Sequence, residues 1–198
     1  MYRFLLFFAA AASFAKTDAV TLVVQDLAGL SPSEVDQAMA EAGRVLGQAG
    51  VTVAWIRCQP GTEDPACGLP APTSLFVRIY GSDSVTGAWK ADSGAFGFAL
   101  TSPAPDFGRH AGVLYGRIRK CASDTGAHPG RLAGSVIAHE VGHLLLERSR
   151  HSETGLMKGH WGKGELDLAA HGLLNFSRAE ASRLKDRIRL RAGLARQR

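Results

Sequence analysis

From Leu132 to Leu146 the chain reads LAGSVIAHEVGHLLL, a strongly apolar helical segment with His139, Glu140 and His143 set into its middle. Ionisable side chains are seldom placed in such a run unless something satisfies them. Residues four apart lie on one face of a helix, so His139 and His143 form an adjacent pair of imidazoles. Two such rings can chelate one metal ion, and Glu140 sits where its carboxylate can reach a water on that ion. A metal would satisfy all three groups together. Gly142, inside the motif, costs a helix roughly 1 kcal/mol. That cost predicts a site where another segment packs closely.

The rest of the chain supplies strands and helices around this segment. AVTLVVQ (Ala19 to Gln25) is rich in β-branched residues and predicts a strand. Ser31, Pro32 and Glu34 offer an N-cap, a first-turn proline and a capping-box carboxylate. Val35, Met39, Ala42, Val45 and Leu46 then repeat at helical spacing, and Gly50 stops the helix. VTVAWIR (Val51 to Arg57) and SLFVRIY (Ser74 to Tyr80) predict two further strands. FGFAL (Phe96 to Leu100) predicts a short strand whose Gly97 suits an edge. GVLYGRI (Gly112 to Ile118) predicts a fifth. Beyond Leu146 there is little periodicity apart from a helical turn in GELDLAA. Ser177 and Glu180 then form a capping box that opens a final amphipathic helix, with Ala181, Leu184 and Ile188 inward. The order predicts one α+β domain: a mixed five-stranded sheet with the histidine-bearing helix and a C-terminal helix.

A chain of 198 residues, 45% hydrophobic and 21% charged, can bury a core without metals or disulfides as staples. Its start differs in character. Tyr2-Arg3 followed by FLLFFAAAASFA (Phe4 to Ala15) predicts a signal peptide over residues 1–15, with cleavage after Ala15. The run is too short for a comfortable membrane span. Residues 16–198 are then expected as one exported domain, periplasmic or secreted, without stable membrane insertion. An oxidising destination permits disulfides. Of the three cysteines, Cys58 and Cys67 flank a short polar loop and predict a bridge, which leaves Cys121 unpaired. The formal charge is +5, and eight Lys or Arg against two acids fall between Arg178 and Arg198. No stacking aromatics accompany that run, so it reads as a solvated helix face and no nucleic-acid partner is expected.

A catalytic zinc uses three protein ligands and keeps one position open. The leading third candidate is His151, eight residues after His143, followed by SETGLM. The stretch HEVGHLLLERSRHSETGLM resembles the metzincin zinc peptidases: an HExxH helix, a third histidine after a turn, then a methionine turn. It is similar in particular to small secreted bacterial metzincin-like proteins with an HExGHLLL…HSxxGxM pattern. The resemblance is specific from His139 to Trp161 and looser in the upstream strand order and the C-terminal helix. It implies one Zn2+ held by His139, His143 and His151, Glu140 as catalytic acid/base, and Met157 packed beneath the metal without binding it. The expected activity is that of an endopeptidase that hydrolyses peptide or protein substrate with zinc-activated water, and the chain is expected to be a monomer. The FGFAL edge would bind extended substrate by strand addition.

The sequence departs from the usual metzincin spacing. The expected turn glycine and third ligand fall on Leu146 and Ser149, and the histidine arrives two residues later. The helix must run on or turn without glycine, with Arg148 or Ser149 expected in a left-handed conformation. No tyrosine closely follows Met157, and no cysteine-bearing propeptide is recognisable. One rival keeps the enzyme but takes Glu165, 22 residues after His143, as third ligand. Another is a secreted zinc-binding interaction domain of the same fold that cleaves nothing; Glu140 argues against it, since a pure ligand site has no use for that carboxylate. His110, His128, His160 and His171 read as surface, with His160-Trp161 either lining a substrate pocket or packing.

Overall fold

A computed structural model describes residues 19–59, 61, 65–68, 74–81, 94–102 and 106–195. The signal segment expected at residues 1–15 lies outside them. Five strands form one sheet: β1 (Ala19–Asp26), β2 (Thr52–Cys58), β3 (Ser74–Tyr80), β4 (Gly97–Leu100) and β5 (His110–Leu114). Their order is β2-β1-β3-β5-β4. The first four in that order run parallel, and β4 closes one edge antiparallel to β5. The fold class is therefore α+β with a mixed five-stranded sheet, as the sequence predicts.

The register explains why these strands are so apolar. Leu22 pairs with Leu75, Val24 with Val77, and Val77 with Ala111, so one face of the sheet is a continuous aliphatic surface. Helices α1 (Pro32–Gln48) and α4 (Pro129–Leu146) cover it, with shorter helices α2 (Pro65–Gly68), α3 (Tyr115–Thr125) and α5 (Lys163–Ala170) and the long α6 (Arg178–Ala195) around them. α1 begins where the capping box places it: the Ser31 hydroxyl accepts from the Glu34 amide at 3.3 Å, and the Ser31 amide donates to Glu34 Oε2 at 2.9 Å. Such a cap is worth about 0.5–2 kcal/mol. α1 and α4 cross closely because Gly134 has no side chain. A Cβ there would stand 2.6 Å from the Ala38 carbonyl oxygen and 2.6 Å from Glu41 Cβ.

One predicted element is wrong in type. The strand expected over Gly112 to Ile118 stops at Leu114, and Tyr115–Thr125 is helix. Tyr115, Ile118 and Ala122 bury one helical face, and the Tyr115 hydroxyl donates to Glu34 Oε1 at 2.6 Å. Gly126 ends the helix in the left-handed region at φ 72°. Tertiary burial of Tyr115 and Ile118 decides this segment, where the β-propensity of the same residues suggests a strand. The Cys58–Cys67 bridge is present and Cys121 is free, half-buried on α3. Among the described residues no helix is long and apolar enough to cross a membrane.

Candidate metal centre

The central helix α4 starts on His128, whose Nδ1 accepts from the Gly130 amide at 3.2 Å, with Pro129 in its first turn. From Leu132 to Leu146 every residue is buried, including His139, Glu140 and His143. The two histidine rings are fixed from behind. His139 Nδ1 lies 2.7 Å from the Leu156 carbonyl and His143 Nδ1 lies 2.8 Å from the Arg148 carbonyl. A carbonyl can only accept, so each Nδ1 carries the hydrogen and each Nε2 presents a lone pair. Burial, with the neighbouring His143 adding to it, lowers the His139 pKa to about 3. Burial also lowers that of His143. Both rings are therefore neutral.

These two Nε2 atoms face each other at 3.0 Å. Two lone pairs at that distance repel unless a cation lies between them, and an ion about 2.0–2.1 Å from each nitrogen is zinc's ordinary reach. His151 completes the group: one ligand atom from each of the three histidines lies within 4.8 Å of the others. A donor set of three neutral imidazoles fits zinc. Nδ1–H bonds to backbone carbonyls are how metal-ligating histidines are usually oriented.

The chain reaches His151 by an unexpected turn. Glu147, and neither Arg148 nor Ser149, is left-handed, at φ 52° and ψ 42°. A non-glycine residue there is strained by about 1–3 kcal/mol. Two arginines of α6 hold it: Arg187 forms an ion pair with the Glu147 carboxylate, and Arg191 Nε lies 3.8 Å from it. Beyond His151, the Ser152 amide donates to the Met157 carbonyl at 2.8 Å, and Gly155 at φ 76° tightens the return. Met157 is wholly buried. It seats against α4 at Gly142, where a Cβ would stand 2.7 Å from Met157 Sδ and 2.8 Å from Phe176 Cε1. That close packing accounts for a glycine inside the motif.

Glu140 is enclosed, and burial raises its pKa to about 8. Its carboxylate faces the edge strand: a Cβ on Gly97 would come within 2.7 Å of Glu140 Oε1. Gly97 thus leaves room for the carboxylate as well as marking an edge. A cavity of about 500 Å3 opens here, lined by the three histidines, Glu140, Phe96 and Trp161 among others. Trp161 both lines it and packs: its indole N–H donates to the Leu156 carbonyl at 3.2 Å, and its ring meets His139 edge-on at 5.7 Å. His160 lines the cavity and is exposed, as are His110, His128 and His171. Glu165 is engaged elsewhere. It accepts from Lys158 Nζ at 2.6 Å and from the Gly162 amide at 2.9 Å, capping α5 outside the histidine group.

Sequence reading missed Gly97's second role, the two carbonyls behind the histidines, and Glu180, which accepts from Arg148 and Ser152 on either side of His151. Gly97 left a trace as an edge glycine and Glu180 as a capping box, and the reach of each to the site depends on a contact between distant segments.

No protein-family model matches the sequence, and no curated protein matches it. Solved structures do. It is similar to an archaemetzincin from Methanopyrus kandleri at TM-score 0.54 and 16% identity, covering 89% of this chain and 99% of that one. It is similar to a zinc-dependent peptidase from Methanocorpusculum labreanum at TM-score 0.55 and 14% identity, covering 83% and 99%. It is also similar to metalloproteinase-II from Bacteroides fragilis at TM-score 0.53 and 13% identity, covering 87% of this chain but spanning only 54% of the other's length. At these identities the likeness is one of fold, and the fold is the one these peptidases share.

Proposed function

We propose that this protein is a zinc-dependent peptidase of the metzincin type, with His139, His143 and His151 as ligands of one ion. The observation that carries the reading is the pair of bare Nε2 atoms 3.0 Å apart, beside a third imidazole. The chemistry such an ion supplies is Lewis-acid activation of water and of a scissile carbonyl. Glu140 is placed to take a proton from the attacking water and to return one to the leaving amine nitrogen. β4 is the last strand of the sheet among the described residues and runs past this carboxylate, which supports strand addition by an extended peptide and so an endopeptidase acting on peptide or protein chains. Met157 fills the floor behind Gly142 and takes no part in ligation.

Residues 1–15 and the Cys58–Cys67 bridge support export to a periplasm or beyond. The rival with Glu165 as ligand loses support because that carboxylate is committed to Lys158 and the α5 cap. The deciding experiment is Glu140→Gln with zinc analysis and a peptide-library digest. The variant should keep one zinc per chain and lose turnover by at least about a hundredfold, within the range ascribed to general acid–base groups. A Glu140→Gln protein that cleaves as fast as the unmodified chain sinks the peptidase mechanism. A chain that binds no zinc sinks the whole reading.

A further inference from the structure

His139 and His143 stand on one rigid helix, each with a carbonyl behind it. His151 has neither advantage. It is exposed, it lies in a segment without helix or strand, and among the described residues its ring has no hydrogen-bond partner. Its ring packs over Gly159, where a Cβ would stand 2.8 Å from His151 Cγ and Nδ1, and the backbone that carries it is held through its neighbours in the chain.

Both sides of His151 lead to one carboxylate. Arg148 Nη2 lies 3.3 Å from Glu180 Oε1, and the Ser152 hydroxyl donates to the same oxygen at 2.5 Å. Arg148 Nη2 also lies 3.4 Å from Ser152 Oγ, closing a triangle of Arg148, Ser152 and Glu180 that ties together the residues flanking the histidine in sequence. The second oxygen has a separate task. Glu180 Oε2 accepts from the Ser177 amide at 2.8 Å and from the Ser177 hydroxyl at 2.9 Å, capping α6. Glu180 is 3% exposed, so these bonds are made out of reach of competing water. The Arg148 carbonyl, on the same tethered residue, is the acceptor behind His143. The start of the connection is gripped as well, at Glu147 by Arg187 and Arg191 of the same helix.

We propose that Glu180 is a positioning residue for the third metal ligand: one oxygen fixes the 148–152 connection so that His151 faces His139 and His143, while the other anchors that tether to the start of α6. This rests on the zinc reading above. The division between the two oxygens allows the tether to be separated from the cap by mutation.

The test measures zinc dissociation constants by chelator competition on the full purified chain, alongside thermal unfolding of the metal-free protein. Ser152→Ala and Glu180→Ala should weaken zinc by about 10- to 100-fold, the usual effect of losing a group that orients a ligand. Ser177→Ala touches only the capping oxygen. It should lower the melting temperature of the metal-free protein yet leave zinc affinity within about threefold, since it removes no group that orients a ligand. If Glu180→Ala fails to fold, Arg148→Met with Ser152→Ala carries the same question. Zinc affinity unchanged in the tether variants overturns the proposal, as does a Ser177→Ala loss equal to theirs. An unmodified chain that holds no zinc overturns both this proposal and the zinc reading, so the two failures are distinguishable.

Discussion

Glu140 shows how much a single enclosed side chain can be asked to do. Unfolded, its carboxyl titrates near 4.5; folded and metal-free, burial raises that to about 8. Between those values the folded state binds more protons than the unfolded one, so stability of the metal-free protein falls as pH rises through the window. Glu140→Gln has the same shape and no such titration. It should stabilise the metal-free protein, relative to the unmodified chain, by on the order of 3 kcal/mol near pH 7, and by little near pH 4. His139 titrates in the opposite sense, but it is common to both proteins and drops out of the difference. Chemical denaturation after chelation, at the two pH values, checks this; an equal difference at both would show that Glu140 keeps an ordinary pKa. At this scale His139, Glu140 and His143 were legible because helical spacing is local. His151 was a candidate by its distance from His143 and the SETGLM that follows it, and the resemblance strengthened it. Glu180 was legible as a cap and illegible as a tether, because Ser152 lies 28 residues away along the chain.

Among the elements, the boundaries that local chemistry sets were readable and those that tertiary contacts set were not. β3 runs from Ser74 to Tyr80 as its sequence predicts, and α1 starts at its capping box. α4 ends at Leu146, where its apolar segment ends, but the residue that turns the chain could not be read, because it is a glutamate whose carboxylate meets Arg187 and Arg191 of the distant α6. Nor could the switch from β5 to α3, which depends on burying Tyr115 beside Glu34. The α1–α4 crossing gives a clean test of how tightly these elements are set. Gly134→Ala places a methyl 2.6 Å from the Ala38 carbonyl, a backbone atom that cannot swing aside. Although alanine favours helix, overpacking should win and destabilise the protein by about 1–3 kcal/mol. Denaturant titration reads this directly, and a gain in stability would mean that α1 and α4 separate more easily than the packing implies.

Across the whole molecule, the sheet order sets the distance between the site and the other covalent feature of the chain. The candidate metal centre lies against β4 and α4, whereas the Cys58–Cys67 bridge hangs from β2 at the opposite edge. Four strand spacings separate β2 from β4 in the order β2-β1-β3-β5-β4. At about 4.8 Å each they amount to roughly 19 Å across the sheet. The bridge closes a loop with a sequence separation of 9. Closing so short a loop restricts the unfolded chain by about 2–3 kcal/mol on the chain-entropy account. For a protein of this size each kcal/mol moves the melting temperature by about 2–4 °C. Replacing both cysteines by serine should therefore lower melting by about 4–12 °C. Zinc affinity should stay unchanged, because no ligand, tether or carbonyl behind the histidines lies near β2. Melting scans and chelator competition on the double variant measure the two quantities independently. Zinc loss in step with the fall in melting temperature would mean that the two sheet edges are coupled and that the bridge belongs to the site.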